Sequence, residues 1–396
     1  MNAMITLTPV TILLLLRYGL KTGFPVDIVE DGGCDNMPIM DGLYFLRSAD
    51  SIATFEQDGM TYLVTANEGD DVEYGNFEEK VKSKDIFKGK AGAISIGFTN
   101  MTADATVLDQ AKCFASKCDD NDLATTPFCA KSMRLTIGSS SVDYSDPGAP
   151  NIYRLTALGG RGITIYKVTD TSLDMVWDSK DELEREGCAA FPWAHNGVQD
   201  EEFAPVGGTL YNSLPAGHSL LETIEELNDS DVDGCVDQGD GSPGACPLGK
   251  TVDERSLKDG YAAEMVVVGT ACDKTYAVTV SEKNSVGFLY DISNAADAIL
   301  EKVFHLSPVS ETQSPGLAYE ARTLGEIDSE SIQFLSESKS PTGKAAVLFS
   351  GAFSGTVSLW EFTCVAAPTP APTESAGNRV GWSKMLLVSL ALAALA

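Results

Sequence analysis

The stretch Asp229 to Asp240, "DSDVDGCVDQGD", sets carboxylates at its positions 1, 3, 5, 9 and 12 and a glycine at 6. Alternate carboxylates along a tight turn direct their oxygens inward, and Gly234 permits a turn that a side chain blocks. The chemistry open to such a set is capture of one hard cation. Asp229, Asp231, Asp233, Asp237 and Asp240 would supply carboxylates, and Cys235 its backbone carbonyl. Position 12 holds Asp240 where a helix–loop–helix calcium hand takes a bidentate Glu, so the expectation is a local calcium loop of another kind. A solvated acidic turn is the competing reading, because acidic runs are usually just exposed.

Other constellations offer less. His195, His218 and His305 have neither H-E-x-x-H nor paired spacing, so a histidine-rich zinc site is not expected and each reads as an ordinary polar or loop residue. "GSSSVD", Gly138 to Asp143, is not a G-x-S-x-G elbow. "GGRG", Gly159 to Gly162, lacks the spacing and the lysine of a phosphate loop and reads as a tight turn before a strand.

Charge narrows the partners. With 57 acidic against 28 basic residues the net charge is −29, which repels phosphate backbones and attracts cations, so no nucleic-acid partner is expected. A hydrophobic content of 43% describes a folded protein rather than an acidic tail. Nine cysteines without a C-x-x-C pair read as disulfides formed in an oxidising compartment. In that compartment the sequons at Asn100 and Asn228 are glycosylation acceptors.

The C-terminus runs from a Pro/Thr-rich stalk, "APTPAPTESAGN", through the polar "RVGWSK" to the apolar "MLLVSLALAALA". That apolar end is too short to span a bilayer. Small residues at Ser375, Ala376 and Gly377 before a polar spacer and an uncharged apolar tail form the pattern of a GPI attachment signal; a short transmembrane anchor is the alternative. The N-terminal run Ile5 to Leu16 has the length of a signal-peptide core but no preceding positive charge, and also reads as a remnant buried strand.

The elements that must position these residues are strands. Three phrases, "GGRGITIYKV", "NSVGFLYDIS" and "FSGTVSLWEF", each follow a glycine-marked turn with period-two alternation, and the last two follow another short strand directly. "MTYLVTANEG" and "AGAISIGF" are further strands. This is the texture of β-propeller blades with long insertions; a β-sandwich is the alternative architecture. Helical signals are confined to "SLLETIEELN" and "SKDELEREG".

"YFLRSADSIATFEQDGMTYLVTANEGD", "DERSLKDGYAAEMVVVGTACDKTYAVTVSEKNSVGFLYDISN" and "AVLFSGAFSGTVSLWEF" resemble the choice-of-anchor I family, with "TANEGD", Thr65 to Asp70, the most specific element. The resemblance implies an all-β, seven-bladed propeller of the YVTN and quinoprotein-like group. It also implies display at the cell surface and, in animals, an association with calcium carbonate biomineralisation. It further implies blades upstream of "SADSIA", so the chain is expected to be N-terminally truncated relative to the family and its propeller incomplete. Where family members write R-S-D-D-K-G-P-E-P-E, this chain has "RSLKDGYAAE", Arg255 to Glu264, which keeps Glu264. Glu68, Asp70 and Glu264 are therefore the candidate catalytic residues, with Asp71 beside them, of a calcium-dependent phosphoesterase; the competing reading is turn carboxylates at strand ends. The acidic loop itself resembles one thrombospondin type 3 repeat, a disulfide-stapled calcium module, which implies a role for Cys235 and Cys246.

The expected organisation is an apolar segment at 1–25, a propeller-like domain at 26–364 with an acidic insertion at about 192–258, a stalk at 365–378 and an attachment signal at 379–396. The expected function is that of a lipid-anchored, calcium-binding surface glycoprotein whose loops meet mineral or matrix. The phosphoesterase is the alternative.

Overall fold

The computed structural model describes residues 19–28, 32–75, 77–90, 93–98, 100–111, 133–197, 248–313, 318–319 and 321–364. The calcium loop at Asp229 to Asp240, Cys246, Asn228, His218, the helix expected at "SLLETIEELN" and the lipid-attachment residues Ser375 to Gly377 lie outside them. All elements discussed below belong to a unit that ends at Phe362.

Three antiparallel meanders dominate. The first consists of strands Ser51–Gln57, Met60–Asn67, Gly162–Val168 and Leu173–Asp178, paired in that order, with the chain from 68 to 161 inserted at its middle. The second consists of Ala263–Ala271, Lys274–Ser281, Val286–Asp291 and Ile299–His305. The third consists of Ser331–Leu335, Ala346–Gly351 and Thr356–Glu361. The three repeated sequence phrases are thus homologous in position: each supplies the strand that follows a meander's central hairpin or turn. The inserted chain joins the segment before the first meander in a mixed five-stranded sheet ordered Leu20–Lys21, Leu43–Leu46, Leu155–Leu158, Arg134–Thr136 and Lys80–Lys82. The fold is all-β in class, made of separate sheets. No sheet closes into a barrel or ring among the described residues.

The burial pattern explains the sequence pattern. In the second meander Val266, Ala277 and Phe288 enter one core with Val64, Ile163 and Ile165 of the first meander. Their neighbours Val267, Val278 and Leu289 enter another with Ile332, Val347 and Phe349 of the third. The middle sheet is therefore covered on both faces, which is why "MVVVGTA" and "YAVTVS" read as continuous apolar runs. On the outer meanders Ile52 and Val357 are 59% and 69% exposed, and on the middle one exposure reaches Ile299 of its last strand. Each fully buried aliphatic or aromatic side chain contributes about 1.5–3 kcal/mol.

The sheets are also pinned by polar groups. Thr65 Oγ1 donates to Asn67 Oδ1 at 2.8 Å, Asn67 Nδ2 to Thr164 Oγ1 at 2.9 Å, and Thr164 Oγ1 to Asp178 Oδ2 at 2.9 Å. Asp178 in turn meets Arg47 Nε at 3.0 Å and Lys21 Nζ at 3.3 Å, all three being buried or nearly so. Burial opposes the charge on Asp178, but Lys21 and Arg47 hold its carboxyl below the usual range. The helix expected at "SKDELEREG" forms at Glu182–Ala190, and its Cys188 is disulfide-bonded to Cys34 across 154 residues. A closed loop of that length constrains the unfolded chain by roughly 2–5 kcal/mol.

Asp178→Asn leaves Lys21 and Arg47 buried without their counterion and is expected to cost roughly 3–5 kcal/mol in guanidinium unfolding. A loss below about 1 kcal/mol would show that the two cations find other acceptors.

Candidate functional site

The site begins at the strand ends. Antiparallel pairing sets Ser51 opposite Ala66 and Ala263 opposite Ser281, so Asp50, Glu68, Glu264 and Glu282 all fall at one end of the first two meanders. The leading strands of the three meanders, Ser51–Gln57, Ala263–Ala271 and Ser331–Leu335, are neighbours, and Val266 N donates to Ser51 Oγ at 3.1 Å. Glu330, just before the third leading strand, also adds its charge to this end. Glu264 occupies a β-bulge: Ala263 pairs with Ser281 and Met265 with Val280, leaving Glu264 as the extra residue. Bulges re-aim a side chain out of the pleat alternation, and here the re-aimed group is a carboxylate.

Glu68, Glu264 and Glu282 offer carboxylate oxygens that all lie within 4.8 Å of one another. Burial, then the charges of Glu264 and Glu282, push Glu68 up to about 9. Burial, then Asp50, which is hydrogen-bonded to it, push Glu264 up to about 8. Like charges this close do not all ionise in a half-buried site; either protons or a cation must balance them. The donor set is oxygen only, which suits a hard cation such as calcium and not a thiolate- or imidazole-seeking metal.

Two glycine loops hold Glu68 in place. Gly69 has φ +104°, and a Cβ there would come 1.9 Å from Gly159 Cα, itself in a residue at φ +92°. "TANEGD" and "GGRG" therefore touch backbone to backbone, which no side-chain-bearing residue permits. Behind Gly159 stands Asp259, where Arg255 donates from Nε to Oδ1 at 2.8 Å and Arg134 lies 3.5 Å away. Although buried, Asp259 is held down at about 2 by Arg255 and Arg134. The guanidinium of Arg255 in the "RSLKDGYAAE" stretch is thus turned onto that stretch's own aspartate.

The expected site residues separate. Glu68 and Glu264 come together, with Glu282 as a third member. Asp70 is exposed and accepts the Asp71 backbone N–H at 2.9 Å. Asp71 pairs with Lys80 Nζ at 2.5 Å and groups with Glu73 and Glu78 of an exposed hairpin. Asn100, the described sequon residue, is exposed on a turn at φ +72°. Asp50, Glu282 and Glu330 are absent from the sequence reading; the available signal was that each flanks a strand at the same end of its meander. His305 stacks within 4.6 Å of Trp193, accepts the Ser307 N–H at Nδ1, and is pushed by burial down to about 3, hence a neutral core residue. His195, read as an ordinary loop residue, is instead wholly buried against Asp27.

The protonated carboxyls favour the fold fully below the unfolded value of 4.5, and that contribution is lost as pH rises through the folded values near 8 and 9. In chelator, the melting temperature is expected to fall progressively between about pH 5 and pH 9, and Glu282→Gln to flatten the fall. A wild-type profile already flat over that range would place the three groups apart in solution.

The choice-of-anchor I domain matches residues 3–205 of the 396, more than half of the chain. A relative is Gigasin-3a of Magallana gigas, 22% identical over 220 residues, covering 55% of this chain and 61% of that protein. The chain thus spans about three fifths of that relative's length. No solved structure matches. On that match, which includes the "TANEGD" strand end that delivers Glu68, the chain belongs to the choice-of-anchor I family and is a surface or extracellular protein.

Proposed function

We propose that this protein is a calcium-binding glycoprotein of the cell surface whose core cation site is formed by Glu68, Glu264 and Glu282, with Asp50 and Glu330 completing the acidic rim. The observation that carries the reading is the approach of the three carboxylates to within 4.8 Å at the ends of two packed sheets. Calcium takes six to eight oxygens in flexible geometry, and weak sites suffice at extracellular calcium levels. In this reading the stacked meanders are blades of a propeller whose leading strands surround the site. The Asp229–Asp240 loop is a second, local calcium module, and a GPI anchor at Ser375 to Gly377 holds the domain at the membrane. A net charge of −29 then concentrates cations near the surface and suits contact with mineral or a cationic matrix. Membership of the choice-of-anchor I family, whose animal members are associated with calcium carbonate biomineralisation, supports a place among matrix proteins.

The phosphoesterase reading is less favoured. Phosphate chemistry needs cationic groups free to meet the substrate, and here Arg255 and Arg134 face Asp259 while Lys283 pairs with Glu282.

Calorimetric calcium titration of the chain ending before Ser375 is expected to resolve two classes of site. Glu264→Gln with Glu282→Gln should weaken one class tenfold or more, about 1.4 kcal/mol, while Asp231→Asn with Asp233→Asn removes the other. Heats unchanged in the glutamate variant would sink the core site. Calcium-dependent turnover of an aryl phosphate that is lost in that variant would move the site to the enzyme reading.

A further inference from the structure

A second cluster lies away from the acidic rim and has different chemistry. Asp27 is on the extended N-terminal segment, His195 caps the single 3-10 turn Pro192–Ala194, and Asp253 follows the turn Leu248–Lys250. His195 Nε2 is 2.7 Å from Asp27 Oδ2 and 3.9 Å from Asp253 Oδ1, and the three ligand atoms lie within 4.8 Å of one another. The three residues are 0–2% exposed.

The surroundings fix both aspartates. The Gly32 and Gly33 backbone N–H groups donate to Asp253 Oδ2 at 2.6 and 2.8 Å, and Ser256 Oγ donates to its Oδ1 at 2.9 Å. Arg161 donates to the Asp27 carbonyl at 2.8 Å, and the Asp27 N–H donates to Glu184 Oε2 at 3.1 Å. Arg161 forms its ion pair with Glu184, so its charge is answered there and two aspartates face one imidazole. Such outer groups, gripping a carboxylate or its backbone, are the usual support of metal ligands.

Two further observations mark the spot. Asn196 and Asp253 hold φ of +44° and +73°, a left-handed conformation that costs non-glycine residues about 1–3 kcal/mol and persists where the surroundings over-determine it. Asn196 Oδ1 is buried with no hydrogen-bond partner, while the same amide's Nδ2 lies 3.3 Å from His195 Nε2. The amide is held in that sense by Nδ2, which donates to Ser256 Oγ at 2.9 Å and to Glu184 Oε1 at 3.3 Å, and His195 Nδ1 is likewise buried without a hydrogen-bond partner, which leaves Nε2 as the ring nitrogen that meets both aspartates.

The geometry points to a buried structural site for a divalent transition cation of the zinc class, held by His195 Nε2, Asp27 and Asp253. One imidazole with oxygen donors suits zinc or manganese, whereas the oxygen-only cluster at Glu68 suits calcium. A dication on neutral imidazole balances two aspartates in a volume closed to water. The ion would clamp the N-terminal segment to the 248–259 segment, beside the staple that Cys34 and Cys188 already provide.

The test is the full chain produced through a secretory pathway, washed in calcium-containing buffer without chelator, with its metal measured by plasma mass spectrometry and X-ray absorption at the zinc edge. A stoichiometric transition metal showing the outer-shell scattering of one imidazole is expected, with the metal lost from His195→Gln. Folding of that variant is checked by its calcium titration, which the distant acidic cluster should preserve. As a measurement needing no variant, cobalt loaded into the wild-type chain should give a visible ligand-field band that zinc bleaches. Metal-free protein that takes up neither zinc nor cobalt overturns the site. So does bound metal with oxygen scatterers only, or equal metal in folded His195→Gln.

Discussion

Three carboxylates on two different sheets cannot be brought within 4.8 Å and left to ionise freely, and much of the described body is arranged around that constraint. Sheet packing brings Glu68 and Glu264 together, since the hydrophobic cores align the meanders and the pairing registers decide which residues stand at their ends. The bulge at Glu264 is affordable because the strand is tied on both sides, by Ser281 and Val280 across the ladder and by Ser51 from the neighbouring sheet. Repulsion within the cluster works against that packing. The fold therefore holds local free energy that a proton lowers at acid pH and that the proposed cation would lower at neutral pH.

Much of this was legible in the sequence, for definite reasons. Period-two phrases located the strands of all three meanders because one face of each strand enters a core. "TANEGD" was singled out by resemblance, and the structure gives it a physical meaning. Thr65 and Asn67 carry the buried hydrogen-bond chain, Glu68 the charge, and Gly69 the backbone contact with Gly159. The same phrases suggested propeller blades, yet no sheet closes into a ring among the described residues; period two reports that a strand has an inside face and says nothing of how many sheets close around an axis.

What stayed illegible depends on long-range proximity. Glu282 sits in "SEKNS", an unremarked turn, and becomes a site residue only because antiparallel pairing returns the chain beside Glu264. His195 carries no local spacing with Asp27 or Asp253, which are 168 residues before it and well after it in the chain. A motif search tuned to short spacings passes over such a cluster, although its burial is complete. Asp259 is a third instance: nothing in the sequence singles it out, yet it neutralises Arg255 and Arg134 and supports Gly159.

The two clusters differ most in access, and access decides what each can do. Asp50 and Glu330 are exposed, so a cation at the acidic rim can exchange with the medium and report its concentration. His195, Asp27 and Asp253 are themselves 0–2% exposed, so an ion there exchanges only when the 248–259 segment or the N-terminal segment opens. In a surface or extracellular protein the proposed calcium site would benefit from that separation. The responsive charges sit at strand ends where occupancy is free to vary, and the groups that fasten distant segments sit where occupancy is not.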